Sequence, residues 1–156
     1  MILRAIIAMF GIALSVESVV AQAPQDPAPN GTRLEYIGTP VRAIPVSAAV
    51  KAGKFVFVSG TPGFDKAGKL AVGDFTAQAK QVMDNIAGTL KAAGTGWDRV
   101  VKVNVLLTRR DDFGEMNRIY STYFAKGNYP ARTTMVVTSL PQPDFLLEIE
   151  CEAVLE

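Results

Sequence analysis

The sequence contains no histidine and only one cysteine, and these two absences exclude several kinds of site. Without histidine the chain has no Ser-His-Asp triad, no His-ligated zinc or haem, and no imidazole for proton transfer. A single thiol, Cys151, forms neither an internal disulfide nor a CxxC metal site. We expect Cys151 to be a small buried side chain rather than a nucleophile.

The charge of the chain is nearly balanced. The chain has 16 Lys and Arg residues and 15 Asp and Glu residues, for a formal net charge of +1. This leaves no basic excess of the kind that binds nucleic acid or an anionic membrane. The 156 residues, 49% of them hydrophobic, are enough for one folded domain and exclude a disordered chain.

The first 21 residues have the composition of a secretory signal peptide. Arg4 supplies a short positive region, and residues 5–14 form an apolar run that is too short to span a bilayer. Small residues, Val19 and Ala21, precede a cleavage point before Gln22. The alternatives are an uncleaved anchor or a buried helix.

The sequence therefore predicts a signal peptide over 1–21, a flexible leader over 22–32, which is rich in proline and polar residues, and one domain over 33–156. It also predicts export to the periplasm or the exterior, with no stable membrane insertion after cleavage.

Strand and helix patterns alternate along the domain in the order β-β-β-α-β-α-β-β. The strands are expected over 33–37, 47–50, 54–59, 100–108, 132–140 and 145–155. The first helix begins after a possible cap, Asp74, and ends at Gly94. The second begins at a possible capping box, from Asp112 to Glu115. Its predicted core stripe is Phe113, Met116, Tyr120, Tyr123 and Phe124.

This order predicts an α+β domain with a single mixed sheet and two helices packed on one face. Alternate residues of the last strand, from Phe145 to Leu155, are apolar, and this side is expected to face the helices. Other strands carry apolar residues on both sides, and no third helix is predicted to cover the second face. We therefore expect an oligomer in which the sheets of neighbouring subunits face each other.

Two charged positions stand out as candidates for chemistry. Arg132 opens an apolar strand directly after a proline-bearing loop, and its guanidinium offers a fixed fork for a carboxylate. An ordinary surface or interface ion pair is the alternative. Glu148 is the first of three acids on one side of the last strand, and a solvated or salt-bridged face is the alternative there.

At these residues the chain resembles the Rid family, the YjgF-type reactive intermediate or imine deaminases. The matching pieces span the predicted domain in the right order. They include Phe57-Val-Ser59-Gly60, the first helix from Gln78 to Gly94, the second from Phe113 to Phe124, Pro130-Ala-Arg132-Thr, and Glu148-Ile-Glu150.

The resemblance implies the chorismate-mutase-like fold of that family, a homotrimeric barrel with a site in each cleft between subunits, and no cofactor or metal. It implies hydrolysis of 2-imino acids or their enamines to 2-oxo acids and ammonia. Arg132 would hold the substrate carboxylate and Glu148 would position the hydrolytic water. Asn117, Ser59 and Gly60 would line the cleft.

The chain departs from the family pattern just before the second strand. Val46 stands where the family commonly has a site tyrosine, and Ala48 where it has a glutamine. The resemblance thus leaves three possibilities open. These are an exported imine deaminase, a non-catalytic module that binds a small carboxylic acid or a partner protein, and a different enzyme on the same scaffold.

Overall fold

The computed structural model describes Gly31, residues 33–38 and residues 44–156. The predicted signal peptide, and the predicted leader apart from Gly31, lie outside the described residues. The helices and strands follow the predicted order. They are β1 (Leu34–Ile37), β2 (Ala49–Ala52), β3 (Phe55–Thr61), α1 (Phe75–Ala93), β4 (Val100–Leu107), α2 (Phe113–Tyr120), β5 (Ala131–Val136) and β6 (Leu147–Val154).

The strands form one six-stranded sheet in the order β1-β2-β3-β6-β4-β5. Four of the neighbouring pairs are antiparallel, whereas β4 and β5 run parallel. A parallel pair needs a crossover, and α2 provides it between β4 and β5. The predicted mixed sheet with two helices is therefore confirmed.

Helix α1 begins and ends where the sequence predicts. The Asp74 carboxylate accepts a hydrogen bond from the Ala77 N–H at 3.0 Å, and Gly94 ends the helix in the left-handed region at φ +85°. Its buried apolar face packs against the sheet and consists of Phe75, Ala79, Val82, Met83, Ile86, Leu90 and Ala93.

Two expectations for α2 are wrong. Asp112 makes no capping hydrogen bond, because its carboxylate accepts two hydrogen bonds from the Arg109 guanidinium instead. Glu115 is bound by Arg118 and Thr76, and these hydrogen bonds lower the pKa of Glu115 to about 2. Phe113 does not join the core, since 44% of it is exposed.

The rest of the predicted stripe lies in the core or against it. Met116 and Tyr120 are buried, and Tyr123 and Phe124 pack against the buried cluster.

Strand β5 is shorter than predicted. It ends at Val136 instead of Leu140, although the Val137 N–H still donates to the Leu107 carbonyl. Burial alternates along strand β6 as predicted. Its helix-facing residues are the buried Leu147, Ile149, Cys151 and Ala153, and its three glutamates lie on the other side.

We call that other side the helix-free face of the sheet. It holds the β6 glutamates and several large apolar side chains that are more than two-fifths exposed: Leu34, Tyr36, Phe55, Phe57 and Met135. Among the described residues, no helix is both long enough and apolar enough to cross a membrane.

Candidate functional site

Arg132 lies one residue into β5, on the side of the sheet that faces the helices. The parallel register places it beside Val103, which is fully buried on that side. The guanidinium therefore reaches α2, where its Nη1 donates a weak hydrogen bond to the Met116 Sδ at 3.9 Å. Its Cζ also lies 4.8 Å from the centroid of the Tyr120 ring.

A cavity of about 430 Å³ opens beside this guanidinium. Its walls come from α2, the turn after it and the segment before β5: Asn117, Tyr120, Ser121, Tyr129, Pro130 and Arg132. Two predicted site residues, Asn117 and Arg132, thus lie together. Within the described part of the chain, no carboxylate lies within 4.0 Å of the Arg132 guanidinium. The cation is half-buried and retains unpaired donors at a cavity wall.

The other three predicted site residues form a second group. The pairing of β3 with β6 is irregular between Val58 and Thr61, and Gly60 there packs against Glu148. A Cβ atom on Gly60 would lie 3.0 Å from the Glu148 Oε1, so a larger residue here would push the carboxylate aside by a few tenths of an ångström. Ser59 donates a hydrogen bond from its Oγ to the Ser47 carbonyl at 2.7 Å.

Burial changes the acidity of Glu148. The side chain is half-buried, and desolvation raises its pKa, with a smaller contribution from the neighbouring charge of Glu150. Glu150 itself accepts a hydrogen bond from the Asn104 Nδ2 at 2.8 Å. A carboxylate with a raised pKa binds a proton more readily than an ordinary glutamate, as a general base must.

The two groups lie on opposite faces of the sheet. Arg132 and Cys151 flank Val103 on the helix-facing side, whereas Glu148 pairs with Leu106, an odd number of residues further along β4. Because side chains alternate along a strand, Glu148 points to the helix-free face. One subunit therefore presents two half-sites that do not meet.

Four lining residues of the Arg132 cavity are not among the predicted site residues: Tyr120, Ser121, Tyr129 and Pro130. The sequence pattern assigns Tyr120 to the core alone and does not single out Ser121 or Tyr129. The sequence could have indicated Tyr120, because it lies three residues after Asn117 on the same helix and therefore on the same side of it. Tyr129 directly precedes the Pro130-Ala-Arg132 motif.

Other reactive or metal-binding groups contribute little to either half-site. Cys151 is buried, and burial raises the pKa of its thiol to about 12, so it is not a thiolate at neutral pH. The described residues contain no group of three Cys, Asp or Glu side chains arranged to hold a metal ion.

Comparison with known proteins identifies the family of the chain. The profile of the family described as endoribonuclease L-PSP matches residues 38–155. The mouse protein named 2-iminobutanoate/2-iminopropanoate deaminase is 42% identical over 111 residues, which cover 70% of this chain and 81% of the mouse protein.

Solved structures give the same result. RidA from the Antarctic bacterium Psychrobacter matches with a TM-score of 0.72 and 37% identity, over 78% of this chain and 99% of that protein. Escherichia coli TdcF, solved with bound serine, matches with a TM-score of 0.72 and 30% identity, over 78% of this chain and 99% of TdcF. With a family profile that covers most of the domain and relatives at about 40% identity, the chain belongs to the Rid (YjgF) family.

Proposed function

We propose that this protein hydrolyses 2-imino acids, or their enamine tautomers, to 2-oxo acids and ammonia. The observation that carries the proposal is the guanidinium of Arg132, which lies at a cavity wall and has no acidic partner among the described residues. A half-buried cation without an acidic partner favours an anionic ligand, and the guanidinium fork matches a carboxylate. Serine, the molecule bound to the related TdcF, carries such a carboxylate.

Glu148 supplies the acid and base steps in this proposal. A protonated imine carbon is already electrophilic, so a positioned water adds to it while Glu148 accepts a proton from that water. The tetrahedral product then takes the proton back on its nitrogen. The carbon–nitrogen bond then breaks while Glu148 accepts the proton of the carbinol hydroxyl, which leaves the 2-oxo acid. That proton passes from Glu148 to the departing ammonia, which leaves as ammonium. Neither a cofactor nor a metal enters this scheme.

Assembly is a necessary part of the proposal, because one subunit holds Arg132 and Glu148 on opposite faces of its sheet. We propose a homotrimer in which each cleft combines the Arg132 half-site of one subunit with the Glu148 half-site of the next. The exposed apolar side chains of the helix-free face, among them Phe57 and Met135, support assembly through that face.

A binding module without turnover is the second candidate. The observation in its favour is the segment before β2, where Ile44 and Val46 are half-exposed apolar side chains and Ala48 has no polar group. Two hydrogen bonds join this segment to Ser59, whose N–H donates to the Ala48 carbonyl and whose Oγ donates to the Ser47 carbonyl. Its side chains offer few donors to order a water, which weakens the case for catalysis and leaves the Arg132 anchor intact.

Cleavage of RNA finds less support here than either candidate. Although the family profile carries the name of an endoribonuclease, the formal charge of +1 provides little attraction for a phosphate backbone. We also propose that the mature protein acts outside the cytoplasm, on the basis of the predicted signal peptide over 1–21.

The direct test uses the mature protein and freshly generated 2-iminobutanoate and 2-iminopropanoate. Release of the 2-oxo acid is followed against spontaneous hydrolysis in the same buffer. The deaminase proposal expects the parent to accelerate release, Glu148→Gln to lose turnover by roughly 100-fold or more, and Arg132→Lys to raise KM. Tight binding of 2-oxobutanoate with no acceleration of release would favour the binding module.

A further inference from the structure

The guanidinium of Arg132 is held from one side by α2 through apolar and aromatic groups. Met116 and Tyr120 stand one helical turn apart on α2, and they are 1% and 5% exposed. The sulfur of Met116 accepts one weak hydrogen bond from the guanidinium, and the Tyr120 ring lies 4.8 Å from its central carbon. This separation is within the range of a cation–π contact.

We propose that Tyr120 is a positioning residue that fixes the Arg132 guanidinium for the substrate carboxylate through the face of its ring. The inference rests on the proposed role of Arg132 as the carboxylate anchor. An acidic side chain would also hold the guanidinium, but it would occupy the same donors that the substrate needs. A ring face attracts the cation and leaves those donors free.

The ring carries this role without the hydroxyl. The Tyr120 hydroxyl is buried, and no hydrogen-bond partner for it is present among the described residues. Burial raises the pKa of this phenol to about 12, so it stays neutral across the working range of pH. A buried hydroxyl without a partner costs free energy, and its removal relieves that cost. Phenylalanine at this position is therefore expected to preserve the function that leucine loses.

The experiment measures binding of 2-oxobutanoate by titration calorimetry, with a thermal melt for every variant. Tyr120→Leu keeps an apolar side chain but removes the ring, so we expect the affinity to fall by roughly 5- to 30-fold. Tyr120→Phe restores the affinity and melts at the same temperature as the parent or higher. Tyr120→Met, which fills more of the volume, replaces Tyr120→Leu in the comparison if the leucine variant does not fold.

Tyr123→Leu is the matched control, because Tyr123 belongs to the same aromatic cluster and its ring packs against Trp97. A merely structural loss at Tyr123 lowers the melting temperature and leaves the affinity of the folded protein unchanged. If Tyr120→Leu behaves in the same way, Tyr120 has no positioning role.

A double-mutant cycle with Arg132→Lys separates this inference from the proposed function. Coupled losses of affinity in Tyr120→Leu and Arg132→Lys support the contact, and additive losses contradict it. If Arg132→Lys weakens binding and Tyr120→Leu does not, the anchor remains and only the role of Tyr120 is wrong. If Arg132→Lys binds 2-oxobutanoate as the parent does, the anchor itself is wrong.

Discussion

Arg132 and Glu148 point to opposite faces of one sheet, although their strands both pair with β4. Each residue has its own surroundings, a cavity beside α2 for the arginine and the close packing of Gly60 for the glutamate. The proposed reaction, which uses both groups on one substrate, therefore combines two copies of the chain.

We expect two variants that are inactive alone to recover turnover when they are assembled into the same trimer. Arg132→Lys and Glu148→Gln are co-expressed with different tags, and the mixed trimers are purified through both tags in turn. In every trimer that carries both tags, about one third of the clefts combine an intact Arg132 with an intact Glu148 from the neighbouring subunit. Turnover should recover to a comparable fraction of the parent value, measured as release of 2-oxo acid.

The control for that recovery is the doubly substituted chain mixed with the parent chain. There an intact cleft needs two adjacent parent subunits, and no cleft is restored by complementation. Mixed trimers of the single variants that stay inactive would show that both residues act from the same subunit.

The helix-free face should be the assembly surface. Phe57 on this face and Phe113 on α2 are each 44% exposed, so Phe57→Glu and Phe113→Glu make the same change at equal exposure. Because a buried unpaired charge is costly, Phe57→Glu should dissociate the trimer. Light scattering coupled to size exclusion should give about three times the subunit mass for the parent and Phe113→Glu, and a smaller species for Phe57→Glu. A trimeric Phe57→Glu protein would exclude this face as the interface.

Gly60 should be required for turnover rather than for folding. Alanine there places a Cβ 3.0 Å from the Glu148 Oε1 and 3.1 Å from its Cδ, which displaces the carboxylate. The carboxylate must move by a few tenths of an ångström to make room. We expect the kcat of Gly60→Ala to fall by roughly 3- to 10-fold, because a 1 Å displacement of a catalytic group costs on the order of 100-fold. Apart from its chain neighbours and the backbone of α1 itself, no described residue has a heavy atom within 4 Å of the place that a Cβ on Gly88 would occupy, so Gly88→Ala is the matched control.

That control has its own expected result. Alanine is a better helix former than glycine, so Gly88→Ala should stabilise the protein by about 0.5–1 kcal/mol in a denaturant titration, with kcat unchanged. Equal activity in Gly60→Ala and the parent would mean that the position of Glu148 is not important.

The fold is largely predictable because its signals are local. The apolar residues of α1 recur with the period of a helix, which predicts one buried face, and all seven residues of that face are buried. Gln78 is also fully buried in α1. Because glutamine is polar, the apolar pattern of the sequence does not predict this burial. Tertiary contacts offset the burial of its side chain, with hydrogen bonds to the carbonyls of Ala71 and Asp144 and from the Leu146 N–H. No pattern within α1 reveals such partners.

The candidate site is predictable by residue and not by arrangement. Motifs point to Arg132 and Glu148, but their relative direction depends on the register of two strands against β4, which sequence does not encode locally. The failed capping box has a similar cause. Asp112 and Glu115 have the right spacing, yet their carboxylates bind the arginines three residues away, Arg109 and Arg118, instead of capping the helix.

Signal cleavage should occur after Ala21. The expected product begins at Gln22, since Val19 and Ala21 supply the small residues that a signal peptidase requires. N-terminal sequencing of the protein from the periplasm or culture medium measures this directly. Ala21→Arg should block cleavage and leave a longer species, whereas Ala23→Arg, beyond the cleavage point, should be processed. An intact Met1 on the native protein would contradict export by this route.

The activity should depend on pH through Glu148. Burial, and secondly Glu150, raise the pKa of Glu148 above its ordinary value, and the base is active only when deprotonated. The kcat should therefore fall as the pH drops through this raised pKa, at a higher pH than an ordinary glutamate would give. Uncharged groups face Glu148 from the neighbouring strands, Leu106 on β4 and Gly60 on β3.

Glu150→Gln provides the control for that assignment. It removes the like charge but leaves the burial of Glu148 intact, so the acid limb of the kcat profile should move to lower pH without disappearing. Glu148→Gln should abolish the limb together with most of the turnover.

Glu148 should also make folding stability depend on pH, in the direction opposite to that of a salt-bridged acid. The reason is that its raised pKa favours the protonated form in the folded protein. The contribution of Glu148 to stability is thus greatest at acid pH and is lost as the pH rises through its raised pKa. Thermal melts of Glu148→Gln against the parent should show a gain at pH 7 that vanishes near pH 4, about the ordinary glutamate value. A profile that Glu150→Gln leaves in place would assign the limb to another group.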